Sequence, residues 1–235
     1  VRAAAKNYND VTVITSVDHY SELINELKKN KGSTSLKFRE KMSRLAFGET
    51  AYYDAVISNY FNKFNNINFP KRKILYTNLI ENLRYGENPH QIGAFYSQNI
   101  KNKLEQLHGK TLSYNNYSDI FAALTISKSL PKNTGTAIVK HGNPCGVSAL
   151  KNNLDSYKSA LESDPISAFG GIISCNYKIT QKLALILNKI FLEVIVANGF
   201  EKKALKILKS KKNLRLIDSS KITFNEIWKF NSVDN

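Results

Sequence analysis

Apolar and polar positions fall in blocks along the chain, and the length and period of each block separate helices from strands. The β-branched run at residues 11–15 is short enough for a buried strand, and residues 18–29 carry Leu23, Ile24 and Leu27 at helical spacing. A strand followed by a helix is predicted there, entered from the helix end that residues 2–7 suggest. From about residue 35 to 64, Met42, Leu45, Ala46, Tyr52, Val56 and Tyr60 share one helical face, which reads as core. Residues 62–73 are rich in asparagine, with one proline and a basic cluster, a composition that suits an exposed connection between domains.

Beyond that connection, strands are predicted at 73–79, 94–97, 136–139, 172–175, 194–197 and 214–217. Helices are predicted at 118–129, 154–161, 181–192 and 202–210. Such alternation implies an α/β layer structure with largely parallel strands, whose sites collect in loops at the carboxyl ends of the strands.

Composition narrows the class. Hydrophobic residues are 42% of the 235 and aromatics 11%, which fits a folded globular chain rather than a linker. No run of 18 apolar residues exists and no signal peptide opens the chain, so a soluble, cytoplasmic protein is expected. Cys145 and Cys175 lack C-x-x-C spacing, and no metal is implied. The net charge of +15 raises nucleic acid as a partner, but 28 of the 34 basic residues are dispersed lysines. Solvated faces are the simpler reading, and they leave room for an anionic small substrate.

Eight of the eleven glycines lie between residues 86 and 171, beside polar groups, and the chemistry is expected there. The segment from Arg84 to Gln91 packs a guanidinium, a phenol, a carboxylate, an imidazole and carboxamides around one glycine and one proline. Arg84 suits a phosphate or carboxylate because its fork donates two parallel hydrogen bonds, although a polar surface loop would read the same way. The segment Val139-Lys140-His141-Gly-Asn-Pro-Cys-Gly146 delivers Lys140 and His141 from a buried strand into a loop turned by Gly142, Pro144 and Gly146. The ammonium favours a neutral imidazole, able to act as a base, and stabilises negative charge itself. Pro144-Cys145 is shared with zinc-dependent nucleotide deaminases, but Ser148 stands where their second cysteine would be, and no H-x-E occurs. Paired glycines at 170–171 precede a strand, where backbone can approach a ligand or form a bulge. Ser118 or Asp119 is the expected helix N-cap, beside Asn115 and Asn116.

Taken in order, RAAAKN at 2–7, LRYGENPHQ at 83–91, LHGKTLSYNN at 107–116, VKHGNPCGV at 139–147 and SDPISAFGGII at 163–173 resemble a known family. It is the bifunctional purine-biosynthesis enzymes, which join a formyltransferase acting on an aminoimidazole carboxamide ribotide to IMP cyclohydrolase. The resemblance implies a partial methylglyoxal-synthase-like domain over residues 1–65, a linker at 66–73 and a cytidine-deaminase-like α/β transformylase unit from 74 to 235. It implies 10-formyltetrahydrofolate as co-substrate, a homodimer, and no nucleic-acid or membrane partner. Lys140 and His141 become the catalytic pair. Arg84, Tyr85, Asn116, Gly170 and Glu193 become nucleotide contacts, although Asn198 stands where the family has proline. Lys6 matches a cyclohydrolase lysine and would be a remnant, because the family's other cyclohydrolase elements lie upstream. The family's second deaminase-like half would follow residue 235, and residues 224–235 resemble the family poorly. A fragment or the product of a disrupted gene is thus expected, with little activity alone. A non-catalytic nucleotide-binding module is the alternative.

Overall fold

A computed structural model describes residues 1–98 and 104–222. The chain divides into two compact units, Val1–Thr77 and a second that begins at Asn78. The segment 224–235, set apart above for its poor resemblance, lies outside the described residues.

The first unit is helical. α1 (Arg2–Lys6) packs on α3 (Leu36–Phe64), where the buried Ser43 hydroxyl donates to the Ala5 carbonyl at 2.6 Å and Arg2 pairs with Asp54. A 3-10 turn (Val17–His19) leads into α2 (Tyr20–Lys29). Ser35 caps α3, its side chain accepting the Phe38 N–H, while its own N–H and hydroxyl donate to Glu26 of α2. These bonds hold the Glu26 carboxyl below its ordinary range. Arg39 donates to the carbonyls of Tyr8, Asn9 and Thr34, fastening the connections on either side.

Two expectations fail in this unit. Residues 11–15 form no strand, because among the described residues the unit has no second strand to complete a ladder. The predicted core face of α3 is only half right. Phe38, Met42, Ser43 and Ala46 are buried, whereas Tyr60 is 61% exposed and Tyr52 and Val56 are half-buried. Helical periodicity marks a face but not how far along it a partner extends.

In the second unit, β1 (Asn78–Asn82) and β2 (Ala94–Ser97) form an antiparallel hairpin. The predicted strand at 73–79 therefore starts at Asn78. Six further strands build one sheet in the order β3-β8-β7-β6-β4-β5: β3 (Glu105–His108), β4 (Gly135–Lys140), β5 (Asn143–Ala149), β6 (Ile172–Cys175), β7 (Val194–Ala197) and β8 (Arg215–Asp218). Only β6–β7 and β7–β8 pair in parallel, through α6 (Gln181–Leu187) and α7 (Lys202–Leu208). The largely parallel sheet expected from alternation is thus a mixed one. One of its antiparallel pairs is dictated locally, at His141 and Gly142, a two-residue turn that allows only antiparallel return of β5 along β4.

Side chains alternate across the sheet with period two. Val139, Ile172, Val194, Val196 and Ile217 meet α4 (Tyr114–Ser129) through Ile120, Ala123 and Leu124. Ile138, Ile173, Ile195 and Leu216 face the opposite side, where α5 (Asn153–Ser163), α6 and α7 supply Tyr157, Leu183 and Leu208. Each fully buried Ile or Leu contributes roughly 1.5–3 kcal/mol. The hairpin β1–β2 covers the outer side of α4, with Phe95 stacked on Tyr117 at 4.5 Å and the Tyr117 hydroxyl donating to Glu81. Gly146 is the close point of the other layer. A Cβ there would lie 1.8 Å from the Ala160 carbonyl oxygen, so only glycine lets α5 rest on β5.

Candidate functional site

The sheet gathers three of the sequence motifs at one end, the carboxyl end of β4 and the amino end of β6 and β7. Because β4 runs against β6, the carboxyl end of β4 lies beside the amino end of β6, with Val139 opposite Ile172. Gly170 and Gly171 lead into β6, Glu193 leads into β7, and Arg215 opens β8. The cluster therefore sits at the amino ends of the three parallel strands. For β4 itself this is the carboxyl end, because β4 runs antiparallel to β6.

Lys140 closes β4 and its Nζ donates to the Phe169 carbonyl at 2.9 Å, which joins it to the glycine loop. His141 and Gly142 form the turn with φ of 52° and 74°. Two positive φ values match the twist of a tight hairpin, and glycine takes the second without strain. Pro144 is tolerated because β5 is an edge strand. Sequence reading treated 142–146 as loop and missed β5, whose proline and glycine hide a strand.

Asp119 is a residue that sequence reasoning placed wrongly. It does not cap α4. Ser113 does, accepting the Asn116 N–H at 3.2 Å, while the Asn116 side chain accepts the Ser113 N–H. Asp119, one turn further on, accepts the N–H of Gly142 at 2.6 Å and of His141 at 3.3 Å. α4 thus meets the turn from below.

Asn116 is only 5% exposed and does two things at once. Besides capping, its Nδ2 donates to Glu193 Oε2 at 2.9 Å. The same oxygen lies 3.8 Å from Arg215 Nη1, and Arg215 Nε donates to the Thr111 carbonyl. Arg215 was not singled out from the sequence, since its partners are distant in the chain. Glu193 is tied to the glycine loop by its N–H on Gly171 O, and Gly170 N–H donates to Phe191 O at 2.9 Å. Asn116, Glu193, Gly170, Lys140 and His141 form one connected neighbourhood. Nearby, Ser167 holds the Asp164 carboxyl below its usual range, and burial pushes the Cys145 thiol up.

Arg84 and Tyr85 lie in the β1–β2 loop, with the guanidinium 5.8 Å from the Tyr85 ring centroid. That loop reaches α4 where Asn115 Nδ2 approaches the Glu87 carbonyl at 3.4 Å. Arg84 is exposed, and the structure places it and Tyr85 on a loop neighbouring the cluster. Lys6 is exposed at the end of α1, in the first unit. Among the described residues no three His, Cys, Asp or Glu side chains group as metal ligands. Among them, too, no helix is long and apolar enough to cross a membrane.

A mixed α/β unit with this cluster fits the resemblance drawn from the motifs. The AICARFT/IMPCHase bienzyme family matches residues 4–235, and the chain belongs to that family. It is similar to the bifunctional purine biosynthesis protein PurH of a Thermoanaerobacter species, at 45% identity over 221 residues. The PurH proteins of Acetivibrio thermocellus and Listeria welshimeri are each 43% identical, over 229 and 222 residues. The matches cover 92%, 95% and 92% of the chain but 43%, 44% and 43% of those proteins. The chain thus spans less than half the length of these relatives.

Proposed function

We propose that this chain carries the nucleotide and formyl-transfer face of a purine-biosynthesis bienzyme, moving a formyl group from 10-formyltetrahydrofolate to the 5-amino group of aminoimidazole carboxamide ribotide. The observation that carries the reading is the convergence of Lys140, His141, Gly170, Asn116 and Glu193 at the amino ends of β6 and β7.

That amine is a weak nucleophile. As its nitrogen bonds to the formyl carbon, the bond from that carbon to the folate nitrogen breaks, and the departing nitrogen takes a proton. His141, displayed on an exposed turn, accepts the proton that the amine loses, which is the general-base role the reaction needs. Lys140 supplies positive charge where negative charge develops on the formyl oxygen. Asn116 and Glu193 offer an amide and a carboxylate to the ribotide's carboxamide and amine, and Gly170 lets its ring approach the backbone. Arg84 suits the phosphate, with Tyr85 beside it.

Under this reading the first unit is part of a methylglyoxal-synthase-like cyclohydrolase domain, with Lys6 its site lysine. The second is a cytidine-deaminase-like transformylase unit. The protein works in the cytoplasm as a homodimer, and the complete enzyme closes the formylated product to IMP. The test is formyl transfer by the full polypeptide that carries this sequence, compared with Lys140→Ala and His141→Ala. Turnover is expected to fall at least about a hundredfold in each variant. Wild-type rates in both variants, or no transfer by the unaltered protein, would overturn the proposal.

A further inference from the structure

We propose that Asp119 is a positioning residue that sets the presentation of His141, the partner of Lys140 in the transfer step. This rests on the reading of those two residues as the reacting pair, and its geometric part can be tested without it.

A two-residue turn with both φ values positive leaves the N–H groups of its residues turned away from the β4–β5 ladder. Here both are taken by one carboxylate. Oδ1 of Asp119 receives the Gly142 N–H at 2.6 Å and Oδ2 receives the His141 N–H at 3.3 Å. The peptide between the two residues is also held from its other side, where Asn143 Nδ2 donates to the His141 carbonyl at 2.9 Å. A peptide plane fixed at N–H and C=O fixes the direction in which the His141 side chain leaves the backbone. Left-handed backbone at a histidine is uncommon and costs free energy, so it persists only where the surroundings determine it.

A helix-capping role does not account for this carboxylate, because Ser113 and Asn116 already form the cap. Asp119 is one helical turn beyond Asn116, and the two project from the same face of α4. One reaches the His141 turn and the other reaches Glu193. A single rigid helix therefore sets the separation between the proposed base and the proposed substrate contact. Misplacement by about 1 Å is enough to cost about a hundredfold in rate.

Two measurements on Asp119→Ala and Asp119→Asn separate the possibilities. Amide hydrogen exchange at His141 and Gly142 reads the geometry in the full polypeptide. It is expected to quicken at least about tenfold in Asp119→Ala, and less in Asp119→Asn, which keeps one acceptor oxygen. Steady-state formyl transfer reads the consequence. In Asp119→Ala kcat is expected to fall about tenfold to a hundredfold while KM for the ribotide stays within about twofold, with partial recovery in Asp119→Asn. Circular dichroism and exchange at β6 and β7 amides serve as the check that the fold is kept. Unchanged exchange at 141 and 142, or quickened exchange with wild-type kcat, overturns the positioning role. Absence of transfer in the unaltered protein, with both amides protected, counts against the reacting pair instead.

Discussion

The two ends of the parallel strands β6, β7 and β8 use polar side chains in opposite ways. At the amino end, His141 is exposed, Glu193 is half-exposed, and Lys140 and Gly170 are half-buried. At the carboxyl end, the polar groups are turned inward and bound to backbone. Asn176, which follows β6, accepts the Gly135 N–H and lies 2.8, 3.2 and 3.0 Å from the carbonyls of Ser127, Leu130 and Pro131. Asn198, which follows β7, donates to the Asn176 carbonyl and accepts from Lys128 Nζ at 2.8 Å. Lys128 also donates to the carbonyls of Ser219 and Ile222. In many open α/β sheets the carboxyl end is the ligand crevice. Here a carboxamide and ammonium network occupies it. The difference between the ends is one of exposure, since Glu193 and His141 remain open to solvent while Asn176 is buried.

The largest test of this contrast pairs Lys140→Ala with Asn176→Ala. The first is expected to lower turnover at least about a hundredfold while the thermal midpoint moves by less than about 2 °C. The second reverses the pattern, costing about 2–4 kcal/mol in urea unfolding through several unsatisfied buried backbone groups, with turnover of the folded protein within about twofold. A large loss of turnover in Asn176→Ala at unchanged stability would break the comparison.

A smaller effect is expected from pH. Burial lowers the pKa of Lys128 below the ordinary lysine value of 10.5, and Asp218 opposes that shift. The folded protein therefore binds this proton less tightly than the unfolded chain does. Below the lowered value both states are charged and the cost of burying the ammonium is present in full. As pH rises from that value towards 10.5, the folded state releases the proton first and stability gains. Relative to Lys128→Met, the wild type should gain unfolding free energy across this window. A flat or falling difference in pH-dependent urea titrations would show that the ammonium is not desolvated.

The smallest effect compares the two cysteines. Cys175 ends β6 on the closed side, fully buried, its thiol pushed up to about 12 by desolvation. Cys145 is half-buried on β5, near the open end. At pH 8 iodoacetamide should label Cys145 slowly and Cys175 only after unfolding. Equal labelling of the native protein, read by mass spectrometry, would mean that the closed end opens.

Much of the sheet was legible in the sequence because its central strands are short, continuous apolar runs. β4, β6 and β7 were expected at 136–139, 172–175 and 194–197, and all three are buried on both faces. β3 was missed because Glu-Gln-Leu-His carries no such signal and is held by pairing with β8. β5 was missed because Pro144 and Gly146 read as loop, although an edge position admits one and a helix contact requires the other. Among the candidate site residues, Lys140 and His141 stood out as polar groups ending a buried strand. Asp119 and Arg215 did not, since one acts 22 residues along the chain and the other 104, where no local pattern reports them.

That pairing of β3 with β8 bears on how the protein is made. Gln106 and Ile217 are register partners, more than a hundred positions apart. At a synthesis rate of about 5–20 residues per second, β3 waits for roughly 5–20 seconds after it is made before its partner exists. β4, β5 and β6 can associate during that wait, since their partners follow closely in the chain. The outer edge of the sheet, by contrast, is written early and closed late, and a ribosome that pauses before residue 215 leaves it open to the wrong neighbour.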